Sequence, residues 1–253
     1  MIEMKPLRGK QAIFFDVNQT LVVQTMTFEA CFLHAWEQLS ARWLPEERPD
    51  GQELWQSYMT KWRQHKKDRI TFKQLDELQV QCLWQVFREH RLPISEAMTR
   101  PFIQQVLQLH SSAKQLPPRT LETLSALAST HKLAVISNSP RLEVLQLLQR
   151  FGLQDLFPEH RVFTARSPAE KKPSLYLFKQ AIRSMKLPPR QAVMVGNSWK
   201  HDVCGAVKAG MDAIWIHDSG SNEPDVKKIS QHRLGRRNVY MIRRMEHMLE
   251  LFV

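Results

Sequence analysis

The apolar run Ala12-Ile13-Phe14-Phe15 stops abruptly on a carboxylate, Asp16, and a polar turn, Asn18-Gln19-Thr20, follows. A short apolar run bounded by turn residues reads as a strand buried on both faces. Ligands in parallel α/β sheets collect beyond the carboxyl ends of the strands. Asp16 therefore stands where chemistry is done, and an aspartate there can attack phosphorus or carbon.

From residue 22 to 114 the pattern turns helical. Phe28, Phe32, Ala35, Trp36, Leu39 and Trp43 recur at helical spacing, and Leu54, Trp55, Tyr58 and Trp62 do so in a second segment. A third segment carries Phe72, Leu75, Cys82, Val86 and Phe87. A fourth spans 95–109 and is expected to be interrupted by Pro101. Prolines 45, 49 and 93 separate the segments. The stretch reads as a small helical bundle inserted into another domain, with tryptophans 36, 43, 55, 62 and 84 in its core. The basic stretch Lys61, Arg63, Lys66 and Lys67 reads as a solvated face.

After a linker-like segment, 111–118, helices alternate with short apolar runs at 133–136, 162–163, 192–195 and 213–216. Such alternation predicts a mostly parallel sheet covered on both faces, with 12–15 as one of its strands. The expected organisation is a core from residues 1–21 and 115–253, with 22–114 as a helical insertion and the basic segment 224–253 as part of the core.

Composition narrows the class. The 253 residues are 43 % hydrophobic and 24 % charged, as in an ordinary soluble globule. No apolar run approaches the ~18 residues of a membrane span, and the N-terminus carries no secretory pattern. Cys31, Cys82 and Cys204 are far apart and match no metal or redox spacing, so buried thiols in a reducing cytoplasm are expected. The net charge of +11, from 36 basic and 25 acidic residues, favours anionic partners. The tail concentrates it in Lys227, Lys228, Arg233, Arg236, Arg237, Arg243 and Arg244. No nucleic-acid-binding signature accompanies these residues, so a solvated basic face is the expectation. Oligomeric state is left open by the sequence.

Polar clusters follow the apolar runs: Asp16, Asn18 and Thr20; Ser137-Asn138-Ser139; Lys171-Lys172-Pro173 before a helix; and Asn197 to Asp202 after Gly196. If the strands are parallel neighbours, the clusters converge on one rim. A carboxylate nucleophile, a hydroxyl, an ammonium and a second carboxylate around one pocket can run a phosphoryl transfer. Asp16 would attack in line, Ser137 would hold a phosphoryl oxygen, and Lys172 would neutralise charge, with Lys171 left in solvent. Mg²⁺ would bridge Asp16, the phosphate and the loop of Asn197 and Asp202.

The four clusters, in this order, resemble the motifs of the haloacid dehalogenase (HAD) superfamily along nearly the whole chain. Asp16-Val17-Asn18-Gln19-Thr20 resembles motif I, Ser137-Asn138 motif II, Lys172-Pro173 the motif III lysine, and Gly196 to Asp202 motif IV. The resemblance implies a Rossmann-like parallel core with a C1 helical cap that closes over the pocket and helps to select the substrate. It also implies a Mg²⁺-dependent phosphatase of small phosphorylated metabolites. Thr20, Ser137, Asn138 and Lys172 would hold the phosphate, and Asp16, Asn18 (by its backbone carbonyl), Asn197 and Asp202 the metal.

Two positions depart from the family. Asn18 stands where most of its phosphatases carry an acid–base aspartate, and an amide can neither give nor take the proton. That help is worth roughly 10²–10⁴ in rate. Asn197 stands where a metal-binding aspartate is common, so weaker Mg²⁺ binding is expected. Trp199, Lys200 and His201 receive no chemistry. Two other readings stay open: a metal-independent 2-haloacid dehalogenase, whose halide needs no proton, and a catalytically weak HAD-fold protein that binds a phosphorylated ligand or a partner.

Overall fold

A computed structural model describes residues 6–65, 72–217 and 228–252. Lys66, Lys67 and Lys227 of the basic stretches lie outside the described residues, as do the side chains of Phe72 and Leu75. The elements run β1 (Ala12–Phe15), β2 (Val23–Gln24), α1 (Phe28–Ser40), α2 (Gly51–His65), α3 (Phe72–Glu89), α4 (Glu96–Ser112) and β3 (Lys114–Gln115). They continue with α5 (Thr120–Ala128), β4 (Lys132–Ser137), α6 (Arg141–Arg150), β5 (Val162–Thr164), α7 (Leu175–Ser184), β6 (Ala192–Gly196), α8 (Cys204–Lys208), β7 (Asp212–Ile216), β8 (Ile229–Leu234) and β9 (Arg237–Ile242). The chain divides into two compact units, residues 1–23 with 115–253, and residues 24–114.

The first unit is built on a seven-stranded sheet in the order β5-β4-β1-β6-β7-β9-β8. All neighbours are parallel except the β8–β9 hairpin. Side chains alternate between faces along a strand, and the two cores show it. Ile13, Phe15, Val135 and Val195 pack with Leu124 and Leu127 of α5 and Val144 and Leu148 of α6. Ala12, Phe14, Ile136 and Met194 pack with Leu177, Phe178 and Ala181 of α7. All four residues of β1 are fully buried, which explains the unbroken apolar run: both faces of the strand are covered.

Space between layers is tight at two glycines. A Cβ on Gly205 of α8 would lie 2.5 Å from the Phe178 ring, so only glycine lets α8 approach α7 this closely. Gly196 is equally constrained, within the site.

The second unit is helical. Thr27 caps α1 by accepting the Ala30 N–H. Its core is aromatic: Phe32 stacks on Tyr58 at 5.7 Å and meets Phe102 edge-on at 5.3 Å. Trp36 is buried, and Trp43, Trp55, Trp62 and Trp84 are partly buried against the same cluster. Such ring pairs add about 0.5–1.5 kcal/mol each beyond their buried area. Lys61 of the basic stretch is paired with Glu89 at 2.6 Å.

Four expectations are corrected. Pro101 lies inside an unbroken α4; near the amino end it removes a single backbone bond, the one to residue 97. The linker 111–118 is partly ordered, since Ser111 and Ser112 finish α4 and β3 follows. The tail carries more than a solvated face: β8 and β9 form a hairpin that extends the sheet, with Val239, Tyr240 and Ile242 buried while Arg233 and Arg236 stay exposed. Cys204 is half-buried, whereas Cys31 and Cys82 are buried, and all three are free. No described helix is long and apolar enough to cross a membrane.

Candidate active site

The register of the sheet places the chemistry. Phe15 lies opposite Val135 of β4 and Val195 of β6, so the next residues, Asp16, Ile136 and Gly196, share one level at the carboxyl edge. The Asp16 N–H donates to the Val195 carbonyl at 2.9 Å, continuing the ladder through the carboxylate-bearing residue. The chain then turns tightly: the N–H groups of Thr20, Leu21 and Val22 all converge on the Val17 carbonyl.

Lys172 enters this level from the loop before α7. Its ammonium donates to Asp16 Oδ1 at 2.7 Å, Asp202 Oδ1 at 2.6 Å and the Ile136 carbonyl at 2.8 Å. All three donors of the ammonium are thus used, and the lysine is 4 % exposed. Its neighbour Lys171 is exposed. The Lys172 backbone is gripped as well: its N–H donates to Asn138 Oδ1 at 2.7 Å, and Asn138 Nδ2 donates to its carbonyl at 3.1 Å. Asn138, expected on the phosphate, spends both ends of its amide on positioning the lysine.

Asp202, expected on the metal, is also engaged with the lysine. It lies in a widened, π-helical turn, Trp199–Val203, in which the Val203 N–H reaches back five residues to Ser198. Such π turns recur at functional sites. The turn aims Asp202 back over Gly196, where a Cβ would stand 2.3 Å from its carboxylate. One carboxylate oxygen accepts from Lys172 and the other from the Ser198 N–H at 2.9 Å. Both oxygens therefore serve to hold the lysine and the loop.

The electrostatics follow from one buried cation between two anions. Burial pushes the Asp16 carboxyl above its usual range; Lys172 opposes the rise and Asp202 adds to it. Burial by itself would lower the Lys172 ammonium, but the two carboxylates overcome it and hold it raised. The lysine is thus held as the cation, and the crowding of two carboxylates in a buried place is felt at Asp16.

The other expected residues line the rim. The Ser137 hydroxyl is buried and accepts the Ser139 N–H at 3.2 Å, which leaves its own proton to donate. Asn18 is half-buried, and its amide donates to the Ser139 hydroxyl at 2.8 Å. Asn197 is half-buried and lines a cavity, with its backbone carbonyl taken by the Trp215 indole at 2.9 Å. The Thr20 hydroxyl is buried yet finds no hydrogen-bond partner among the described residues. A buried polar atom without a partner is rare and marks a place for a ligand or a water. His201 is exposed, its ring 3.2 Å from the Ser198 hydroxyl within the same loop.

Sequence reasoning did not foresee Gly196 as the seat of Asp202, Ser139 as the anchor of Asn18, or the Ile136 carbonyl as a lysine ligand. The Ser137-Asn138-Ser139 cluster carried a signal for the second. The other two depend on register between strands far apart in the chain, and no local pattern records that.

The donors fit Mg²⁺ in kind: the Asp16 carboxylate, the Asn18 backbone carbonyl and the Asn197 amide are oxygen ligands for a hard cation. Among the described residues no group of three or more acidic, histidine or cysteine side chains forms a self-sufficient metal cage. Such a set suits a cation that completes its shell from phosphate and water.

Comparison with known proteins agrees with this geometry. The family model described as haloacid dehalogenase-like hydrolase matches residues 13–216. The glyceraldehyde 3-phosphate phosphatase of Methanothermobacter thermautotrophicus is 38 % identical over 101 residues, 40 % of this chain and 44 % of that protein. The chain thus spans less than half the length of that relative. The phosphoglycolate phosphatase of Colwellia psychrerythraea is 24 % identical over 83 % of this chain and 85 % of its own length. The crystal structure of 2-haloacid dehalogenase from Pseudomonas syringae shares the fold, with a TM-score of 0.56 at 23 % identity over 96 % of this chain and 97 % of that one. The chain belongs to the haloacid dehalogenase-like hydrolase family.

Proposed function

We propose that the chain is a Mg²⁺-dependent phosphatase of small phosphorylated metabolites, working in the cytoplasm through an aspartyl-phosphate on Asp16. The observation that carries this reading is the buried ammonium of Lys172 clamped between Asp16 and Asp202 at the carboxyl edge of the sheet. The clamp fixes one oxygen of Asp16 and so orients the other for in-line attack on phosphorus. Lys172 also neutralises charge that builds on the phosphoryl oxygens. The Ser137 hydroxyl and the Thr20 hydroxyl, which has no partner among the described residues, are donors for the same oxygens. Asp16, the Asn18 carbonyl and Asn197 would hold Mg²⁺, which supplies further charge neutralisation when bound. Phosphatases among the relatives support the reaction class, and the free thiols agree with a reducing compartment.

Asn18 sets the character of the reaction. The oxygen–phosphorus bond breaks as Asp16 Oδ2 bonds to phosphorus, and the departing alkoxide needs a proton that an amide cannot give. Substrates with good leaving groups, acyl and aryl phosphates, are therefore preferred over alkyl esters. Water then releases phosphate from Asp16 without a carboxylate base at position 18. The direct test is a screen of phosphorylated metabolites with and without Mg²⁺, wild type against Asp16→Ala. Metal-dependent phosphate release that disappears in the variant supports the reading. Equal release by both proteins, or none by either, removes it.

A further inference from the structure

The basic tail is not absorbed by the phosphatase reading, and the sheet topology gives it a place. β9 runs parallel to β7, so its carboxyl end emerges at the same edge as Asp16 and Asn197. Arg243 and Arg244 follow directly after Ile242, the last residue of β9. There they line a cavity of about 680 Å³ together with Thr20, Asn197, His217 and Glu246. Its volume is that of a small-molecule site. One end of the cavity is the catalytic rim, where the Thr20 hydroxyl is buried with no hydrogen-bond partner among the described residues. The other end is cationic. His217 between them is fixed, stacked on Trp215 at 4.4 Å and 20°, with its N–H on the Ile242 carbonyl at 2.8 Å.

We infer that this cavity receives a second anionic group of the substrate, held by Arg244 and Arg243 while the scissile phosphate sits at Asp16. This deepens the proposed phosphatase function and rests on it. The guanidinium fork, with five donors, suits a phosphate or carboxylate and retains donors when one is already engaged. Glu246 offsets part of the positive charge and so disfavours the nonspecific collection of anions.

The register also sets the span. Asp16 shares its level with Gly196, Trp215 and Met241, three strands away. Three strand spacings make about 14 Å, and Arg243 lies about 7 Å further along its strand. Even an extended arginine reaches only part of that distance. The second anion must therefore lie several bonds from the scissile phosphorus, as in the bisphosphate of a sugar or polyol. The carboxylate of a two-carbon phospho-acid is too close to its own phosphate.

The experiment measures binding by calorimetry to Asp16→Asn protein, which cannot turn the ligands over. The probes are the bisphosphate of a six-carbon diol, hexyl phosphate and the bisphosphate of a two-carbon diol. The six-carbon bisphosphate is expected to bind about tenfold or more tightly than hexyl phosphate, because its second group binds intramolecularly. The two-carbon compound is expected to show no such advantage. Arg244→Gln, at an exposed position that tolerates change, should remove most of the advantage, and Arg243→Gln with Arg244→Gln all of it. Glu246→Gln should enlarge it. No advantage in the parent protein, or an advantage that survives the double variant, overturns the inference. So does free sulfate binding at the arginines as tightly as the tethered phosphate, which would make this a site for a loose ion. These outcomes are separate from failure of the phosphatase reading, which shows in turnover: none by wild-type protein, or as much by Asp16→Ala.

Discussion

Two lysine–aspartate clusters occupy opposite ends of the same sheet and do different work. At the amino end Lys10, just before β1, meets Asp212, the first residue of β7, at 2.5 Å. Lys10 also donates to the Arg190 carbonyl, and Asp212 accepts the Asn238 N–H with its other oxygen. One cation faces one anion, and both ends of the pair have backbone partners. At the carboxyl edge Lys172 is as deeply buried but faces two carboxylates. Side-chain exposure of the two lysines is similar, 4 % and 2 %, so it does not by itself separate the two clusters. The charge ratio does. The matched pair is a closed strut, whereas the unmatched cluster sets two carboxylates on one ammonium, and burial together with Asp202 raises the Asp16 carboxyl.

The sharpest way to break the comparison is to remove each lysine. Lys172→Met should cut phosphate release by about 10³ or more and leave two buried carboxylates unpaired. Lys10→Met should cost about 3–5 kcal/mol of stability, as for other broken buried pairs, yet the folded protein should retain its turnover. Chemical denaturation and steady-state kinetics on both variants check this, and equal kinetic losses would erase the distinction.

Gly196→Ala is next in size. The new methyl must displace the Asp202 carboxylate, loosening Lys172 and misplacing Asp16. Displacements on this scale cost about 10² in kcat, and a kcat within twofold of wild type would show that Asp202 does not set the lysine.

Asn18→Asp adds a third carboxylate to the unmatched cluster and restores a proton carrier. Activity on alkyl phosphates should rise about tenfold: general acid–base help is worth roughly 10²–10⁴, and the cost of the added charge offsets part of it. Any burst of phenol release seen with aryl phosphates should disappear. Unchanged or lower activity on alkyl esters argues against the role assigned to this position.

The smallest effects are in pH dependence. The Asp16 carboxyl is raised, so folded protein holds that proton more tightly than unfolded protein, and ionising it costs stability as pH climbs out of the ordinary carboxylate range. Asp16→Asn removes this cost, and its melting temperature near neutral pH should match or exceed that of wild type. Asp212→Asn breaks a matched pair and should lower it. Because Asp202 adds to the rise at Asp16, Asp202→Asn should move the acid limb of kcat/KM to lower pH while reducing kcat. An upward shift would reverse the electrostatic assignment.

Much of this was legible in the chain. The runs at 12–15, 133–136, 192–195 and 213–216 are strands covered on both faces, and the polar clusters after them mark the rim of the candidate site. The helical spacing of Phe32, Trp36, Tyr58 and Phe87 marks the second unit. The hairpin of β8 and β9 was hidden because its few buried positions, Val239, Tyr240 and Ile242, stand among arginines and polar residues. Its identity as sheet comes from pairing with β7, a long-range event.

The sequence by itself determined which residue types would meet at the carboxyl edge, since strand ends and turns are written in local pattern. Only the tertiary structure decided how they divide the work. Asp202 and Asn138 hold Lys172, Ser139 holds Asn18, and Arg243 and Arg244 arrive on the same rim. Those partnerships depend on strand register and on the closeness permitted by Gly196. Both are products of packing between segments distant in the chain, and an amino-acid string does not specify such distances one residue at a time.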